Sequence, residues 1–131
     1  MKDYKSLSQN DRRNCTVSAV SKSMNVSMED AYRAMADQGR IHNCGAHMIQ
    51  VRNAVRQLGG TRTDRYKRKI HIECKYGTLT TRNVAEWFST GRYIMCTNDH
   101  AFACINGTID DWSADRKSRV TKVWEITGEV R

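Results

Sequence analysis

The sequence predicts an α+β fold, with helices in the N-terminal half packed on a C-terminal antiparallel β-sheet. Three observations carry this. In the first half apolar residues recur at spacings of three and four, the period of a helix with one buried face. In the second half short apolar runs follow one another too closely for crossover helices to join them. Between two of those runs stands Asn106-Gly107, the dipeptide best suited to a two-residue type I′ hairpin turn, which needs positive φ at both positions.

Residues 1–12 read as a polar lead-in, the first eight of them a polar N-terminal arm. A first helix begins at Cys15, with Val17, Val20 and Met24 on one stripe and Asn14 as its N-cap. Ser27 caps a second helix, and Ser27 to Asp30 has the form of a capping box with Asp in place of Glu. Met28, Ala31, Tyr32, Met35 and Ala36 make its apolar stripe, and Gly39 ends it. Residues 40–46 connect to a third helix over 46–58, with Met48, Val51, Val55 and Leu58 inward, stopped by Gly59 and Gly60.

A basic run from Arg62 to Lys69 follows and leads into a strand over 69–75, where Ile70, Ile72 and Cys74 alternate with His71, Glu73 and Lys75. Thr80 or Thr81 caps a short helix through Ser89, with Val84, Trp87 and Phe88 as its apolar face. Strands are predicted over 92–97, 100–105, 108–112 and 120–126, with a charged loop over 115–119. No repeat, low-complexity tract or linker interrupts the chain, so residues 1–131 are read as one domain with one core.

The net charge is +8, and no stretch approaches the roughly 18 apolar residues of a membrane span. Met1 to Lys5 lacks an apolar signal region, so the chain reads as cytoplasmic, with no membrane partner. Five cysteines without a secretory signal predict free thiols, with Cys96 and Cys104 buried in apolar strand patterns. The sequence has no Gly-rich phosphate loop, no Ser-centred elbow and no paired-carboxylate signature.

The hairpin turn sets a register that matters for chemistry. It pairs Ile105 with Thr108, Cys104 with Ile109, Phe102 with Asp111 and His100 with Ser113. His100, Phe102, Cys104, Ile109, Asp111 and Ser113 then share one face, His100 and Asp111 are diagonal neighbours, and Asp110 points to the other face. An imidazole held by a carboxylate, with a cysteine elsewhere, is the parts list of a thiol nucleophile with an oriented base. Of the five cysteines Cys15 fits best, in a first helical turn where the dipole and unpaired N–H groups favour a thiolate, with Arg12 and Arg13 adding positive charge. Gln9, six residues upstream, would join the Cys15 N–H in an oxyanion hole. Each residue also has an ordinary use, Cys15 as a small buried hydrophobe and His100 as a hydrogen-bonded surface residue. The agreement of order with hairpin geometry favours the site.

These residues resemble the papain-like cysteine peptidase superfamily, whose order is Gln, Cys, His, Asp or Asn. The closer resemblance is to small papain-fold proteins of phage genomes. It rests on Cys15 at the first helix, on Glu29, Asp30 and Ala31 through Gly39 and Arg40, and on Gly91, Arg92 and Tyr93. It ends with His100, Ala101, Gly107, Asp111 and Trp112. It covers roughly residues 8–126, and departs from the pattern where Asp110 and Asp111 adjoin Trp112. The resemblance implies a papain-like fold and a thiol hydrolase that cleaves a peptide, isopeptide or related amide bond. It implies catalytic Cys15, His100, Asp111 and Gln9, no cofactor, and a protein or peptide substrate.

Other constellations are weaker. His42, Cys44 and His47 with His71 and Cys74 offer loosely spaced zinc ligands, but His71 and Cys74 would point to opposite faces of a strand. Asp110 and Asp111 with Asp99 or Asp115 offer a metal cup of low specificity. Asn14, Trp112 and the basic residues Arg62, Arg65, Lys67, Arg68 and Lys69 are candidates for substrate or partner binding, the basic run with nucleic acid as a partner. The competing reading of that run is a solvated loop carrying solubility charge. The competing function is a non-enzymatic basic binding module on the same fold, a phage effector that grips a host protein or nucleic acid.

Overall fold

The computed structural model describes residues 3–67, 79–111 and 118–128. Among them are helices α1 (Tyr4–Asn10), α2 (Cys15–Met24), α3 (Met28–Asp37), α4 (Met48–Gln57) and α5 (Val84–Trp87). The strands are β1 (Gly60–Lys67), β2 (Arg92–Cys96), β3 (Ala101–Ile105), β4 (Thr108–Ile109) and β5 (Lys122–Gly128). The strands form one antiparallel sheet in the order β1-β5-β2-β3-β4. The fold is α+β: four helices precede the sheet, and α2 packs on β3.

Side-chain alternation divides the core between the two faces of the sheet. On one face Ile94, Trp124 and Ile126 meet the apolar stripes of the helices, among them Val17, Val20, Met24, Met35, Val51 and Val55. On the other, Met95, Phe102, Cys104 and Val123 meet Leu79, Val84, Phe88 and Val120. Each such fully buried side chain contributes about 1.5–3 kcal/mol of transfer free energy. At Gly60 the helical layer approaches the sheet closely, since a Cβ there would lie 2.7 Å from the Met24 sulfur.

The predicted α2, α3 and α4 are present, and Ser27 caps α3 by accepting from the Asp30 N–H. Five expectations need correction. The lead-in is not a free arm: it forms α1, capped by the Asp3 side chain and packed on α3. The basic run is not a loop before a strand, because Arg62 to Lys67 lie within edge strand β1 paired to β5. Its alternating Thr and Tyr suit a strand better than their polarity suggests. Met48 and Trp87, expected inward, are 44% and 52% exposed. The short helix starts later than Thr80 or Thr81: Asn83 is its N-cap, and Asn83 Oδ1 accepts from the Thr80 N–H. Finally, β4 stops at Ile109 and β5 runs from Lys122, so Val120 is buried ahead of the strand. The strand expected over 69–75, the ligand pair His71 and Cys74, and Trp112, Arg68 and Lys69 lie outside the described residues.

Candidate active site

Two elements carry the candidate chemistry. The first is the N-terminus of α2. Asn14 occupies the N-cap position, but its side chain makes no cap hydrogen bond, contrary to expectation. Its carbonyl accepts from Ser18 N at 2.8 Å, so α2 begins at Cys15 with its first N–H groups outside the helical ladder. Spacings of three and four then put Cys15, Ser18 and Lys22 along one face of α2, and all three line a cleft of about 610 Å³.

The second element is the β3–β4 hairpin. Asn106 and Gly107 take φ of 49° and 80°, the positive values of the predicted turn. Asn106 is held further, its N–H donating to the Gly91 carbonyl and its Oδ1 accepting from the Gly91 N–H. Cys104 pairs with Ile109 and Ile105 with Thr108, as the sequence predicts. The pairing of Phe102 with Asp111 does not form as a ladder, and Ser113, the expected partner of His100, lies outside the described residues. Past Ile109 the chain leaves the sheet, and the Asp110 carbonyl accepts from Lys22 Nζ at 2.6 Å. Asp111 then turns its carboxylate to His100, with Oδ2 2.8 Å from Nε2.

His100 is itself fixed from two sides. Its carbonyl accepts from the Thr97 N–H at 2.8 Å, closing the β2–β3 connection, and its ring stacks on Phe102 with centroids 6.0 Å apart. Asp111 is therefore the acid hydrogen-bonded to the histidine, while Asp110 contacts Lys22 through its backbone carbonyl. Cys15, His100 and Asp111 all line the same cleft, with Asn14 beside them.

Of the remaining described cysteines, Cys96 and Cys104 are poor nucleophiles. Burial pushes the Cys96 thiol up to about 12 and the Cys104 thiol up to about 11. Cys44 is exposed on the connection after α3 and does not line the cleft. Cys104 is buried as predicted, while Cys96 keeps partial exposure. Gln9 is not brought to the site. Because α1 ends at Asn10 and the chain turns inward at Asp11, Gln9 is left exposed and does not line the cleft.

One part of the site escaped the sequence reading. Asp11 and Arg40 form an ion pair at 2.5 Å whose side chains are 0% and 1% exposed. Asp11 Oδ1 also accepts from the N–H groups of Arg13 and Asn43, and Arg40 donates to the Arg13 carbonyl at 2.8 Å. The Arg12 N–H donates to Asn43 Oδ1. Burial opposes the Asp11 charge, but the Arg40 hydrogen bond, the Arg13 and Asn43 N–H groups and the Arg40 charge together hold its pKa below the ordinary value. This network clamps residues 11–13, the segment that delivers Cys15. The signal available was a lone arginine after Gly39 at the end of a helix.

The basic run divides in the structure. Arg62 stacks its guanidinium 4.2 Å from the Trp124 ring centroid and donates to the Met48 carbonyl. Arg65 and Lys67 stay exposed on the edge strand. His42 Nδ1 lies 3.0 Å from the Tyr32 hydroxyl. No group of three or more His, Cys, Asp or Glu side chains is placed to hold a metal ion among the described residues, and none of their helices is long and apolar enough to cross a membrane. Comparison with protein-family models, curated proteins and solved structures found no match to this chain.

Proposed function

We propose that the protein is a papain-like cysteine hydrolase that cleaves a peptide, isopeptide or related amide bond. The observation that carries this reading is the His100–Asp111 hydrogen bond of 2.8 Å in a cleft shared with Cys15, at the first residue of a helix. Cys15 gives its thiol proton to His100 Nδ1, and the sulfur attacks the carbonyl carbon of the amide. The C–N bond breaks as His100 returns that proton to the leaving amine. Water, deprotonated by His100, then hydrolyses the thioester and frees the thiol. Asp111 holds Nε2–H and so fixes the tautomer in which Nδ1 is the base.

The oxyanion forms beside the Cys15 N–H, which is outside the helical ladder. Asn14, lining the cleft without a capping bond, supplies the second donor in place of Gln9. A cytoplasmic setting and a phage origin belong to the same proposal. The four free thiols among the described residues suit a reducing compartment, and the phage origin rests on the resemblance of the motifs alone.

The binding-module reading draws less support. Arg62 is committed to Trp124, and exposed Arg65 and Lys67 have a sufficient use in keeping edge strand β1 from pairing with other chains. The test is hydrolysis of a fluorogenic peptide-amide library by wild type, Cys15→Ala and His100→Ala. Release of fluorophore that both substitutions abolish supports the proposal. Release that survives in Cys15→Ala overturns it.

A further inference from the structure

The cleft has two lobes that meet at Cys15, Asp99 and His100. One, of about 610 Å³, is lined by Arg12, Arg13 and Lys22 on the α2 side. The other, of about 300 Å³, has an apolar wall of Met48, Val51 and Trp124, with Asp99 and Lys122 also lining it. Cys15 and His100 line both.

We infer that the substrate is an acidic polypeptide segment, which sets carboxylates in the Arg12–Arg13–Lys22 lobe and an apolar side chain in the Met48–Trp124 lobe, across the scissile bond. This inference rests on the hydrolase reading and adds the class of substrate.

The charge balance of the first lobe supports it. Arg12 and Arg13 are exposed, and among the described residues no carboxylate forms an ion pair with either guanidinium. Their backbones are clamped by the Asp11–Arg40 network, and both residues line the cleft. Lys22 lines the same lobe and donates to the Asp110 carbonyl. Two acids line the same lobe. Asp111 is engaged by His100, and Asp99 accepts from Thr97 Oγ1 at 3.3 Å. Three cations thus face one carboxylate outside the His100 pair. Cations on one side of a low-dielectric cleft concentrate anionic ligands there.

Nucleic acid fits this surface less well. A continuous phosphate backbone would run past the Asp99 carboxylate, and Trp124, 3% exposed, offers no open stacking face. A peptide, whose side chains alternate in character, matches both lobes.

Alkylation of the whole protein tests this directly, with peptide mass spectrometry reading Cys15 and Cys44 separately. Iodoacetate carries the carboxylate and iodoacetamide is its neutral counterpart. The iodoacetate-to-iodoacetamide rate ratio is expected to be about tenfold higher at Cys15 than at exposed Cys44. In the Arg12→Gln/Arg13→Gln variant it falls to within about threefold of the Cys44 ratio. A Glu-rich peptide with one Leu is expected to protect Cys15 from iodoacetamide, and its Gln counterpart to protect about tenfold less. Equal ratios at Cys15 and Cys44, or equal protection by the two peptides, overturns the inference. So does stronger protection by a single-stranded oligonucleotide than by the Glu peptide. His100→Ala separates the two readings: its effect on the Cys15 rate tests the hydrolase, and only the Arg12/Arg13 response of the ratio tests the acidic preference.

Discussion

His100 and Asp111 are joined by a 2.8 Å hydrogen bond from Nε2 to Oδ2, although the β-ladder between their strands has already ended at Ile109. The contact is made by a turn of the chain out of the sheet. Lys22 holds the Asp110 carbonyl, and the next side chain swings to the imidazole. The adjacent acids therefore have separate duties, one through its backbone and one through its carboxylate.

That division predicts an asymmetric pair of variants. On the proposed hydrolase reading, Asp111→Ala leaves His100 without its orienting partner and lowers amide turnover about 10–100-fold, while His100→Ala removes the proposed base and lowers it about 10²–10⁴-fold. Asp110→Ala keeps the carbonyl that Lys22 uses and leaves turnover within about twofold. Steady-state kinetics on one fluorogenic amide measures all three. An Asp110→Ala loss as large as that of Asp111→Ala would reverse the assignment.

The buried Asp11–Arg40 pair yields a stability prediction. Arg40→Met strands the Asp11 carboxylate, 0% exposed, among N–H donors without its counter-ion and costs about 3–5 kcal/mol. Urea unfolding followed by circular dichroism reads the loss. The pH dependence has a definite sign. The folded pKa of Asp11 is depressed below its ordinary value. Its contribution is therefore complete above the unfolded pKa of about 3.9 and is lost as pH falls through the lower folded value. An Asp11→Asn protein starts less stable at neutral pH and loses less on acidification in that window.

The thiols should separate by reactivity. With pKa values pushed up to about 12 and about 11 by burial, Cys96 and Cys104 carry almost no thiolate at pH 8, and Cys104 is also closed to solvent. Under native conditions iodoacetamide is expected to label Cys15 and Cys44 and to spare Cys96 and Cys104 until denaturant is added. Peptide mapping after timed quenching distinguishes them. Labelling of Cys104 ahead of Cys15 would refute this ordering.

What could be read from the sequence had a local cause. The stripes of α2, α3 and α4 are periodic within ten residues each, and Asn106-Gly107 carries its turn in its own backbone preference. From that turn, parity alone pointed to Asp111 over Asp110. The misses were set at long range. Residues 4–10 are mostly polar and become α1 because Tyr4 and Leu7 pack on the helical core and Asp3 caps the helix. The run from Arg62 to Lys67 shows no apolar alternation because it is an edge strand, and its partner β5 lies some sixty residues away. The Asp11–Arg40 clamp joins residues 29 apart, so no local pattern marks it.

The edge strand gives the last prediction. Three basic residues of β1 look alike in sequence and differ in place. Arg62 has 10% of its side chain exposed, lies over Trp124 and donates to the Met48 carbonyl at 2.7 Å, so it ties β1 to both β5 and the start of α4. Arg62→Ala removes the stacking and the packing of the aliphatic stem and costs about 1–3 kcal/mol. Arg65 and Lys67 are exposed, Arg65 meeting Glu125 only at 4.0 Å, and their alanine variants should stay within about 0.5 kcal/mol of wild type. Their effect should appear instead in association, because an edge without charge is open to pairing with other chains. The Arg65→Ala/Lys67→Ala protein is therefore expected to unfold at nearly the wild-type urea midpoint and to show more self-association by light scattering at high concentration. A large midpoint shift in that double variant, or none in Arg62→Ala, would show that the strand is anchored by other means.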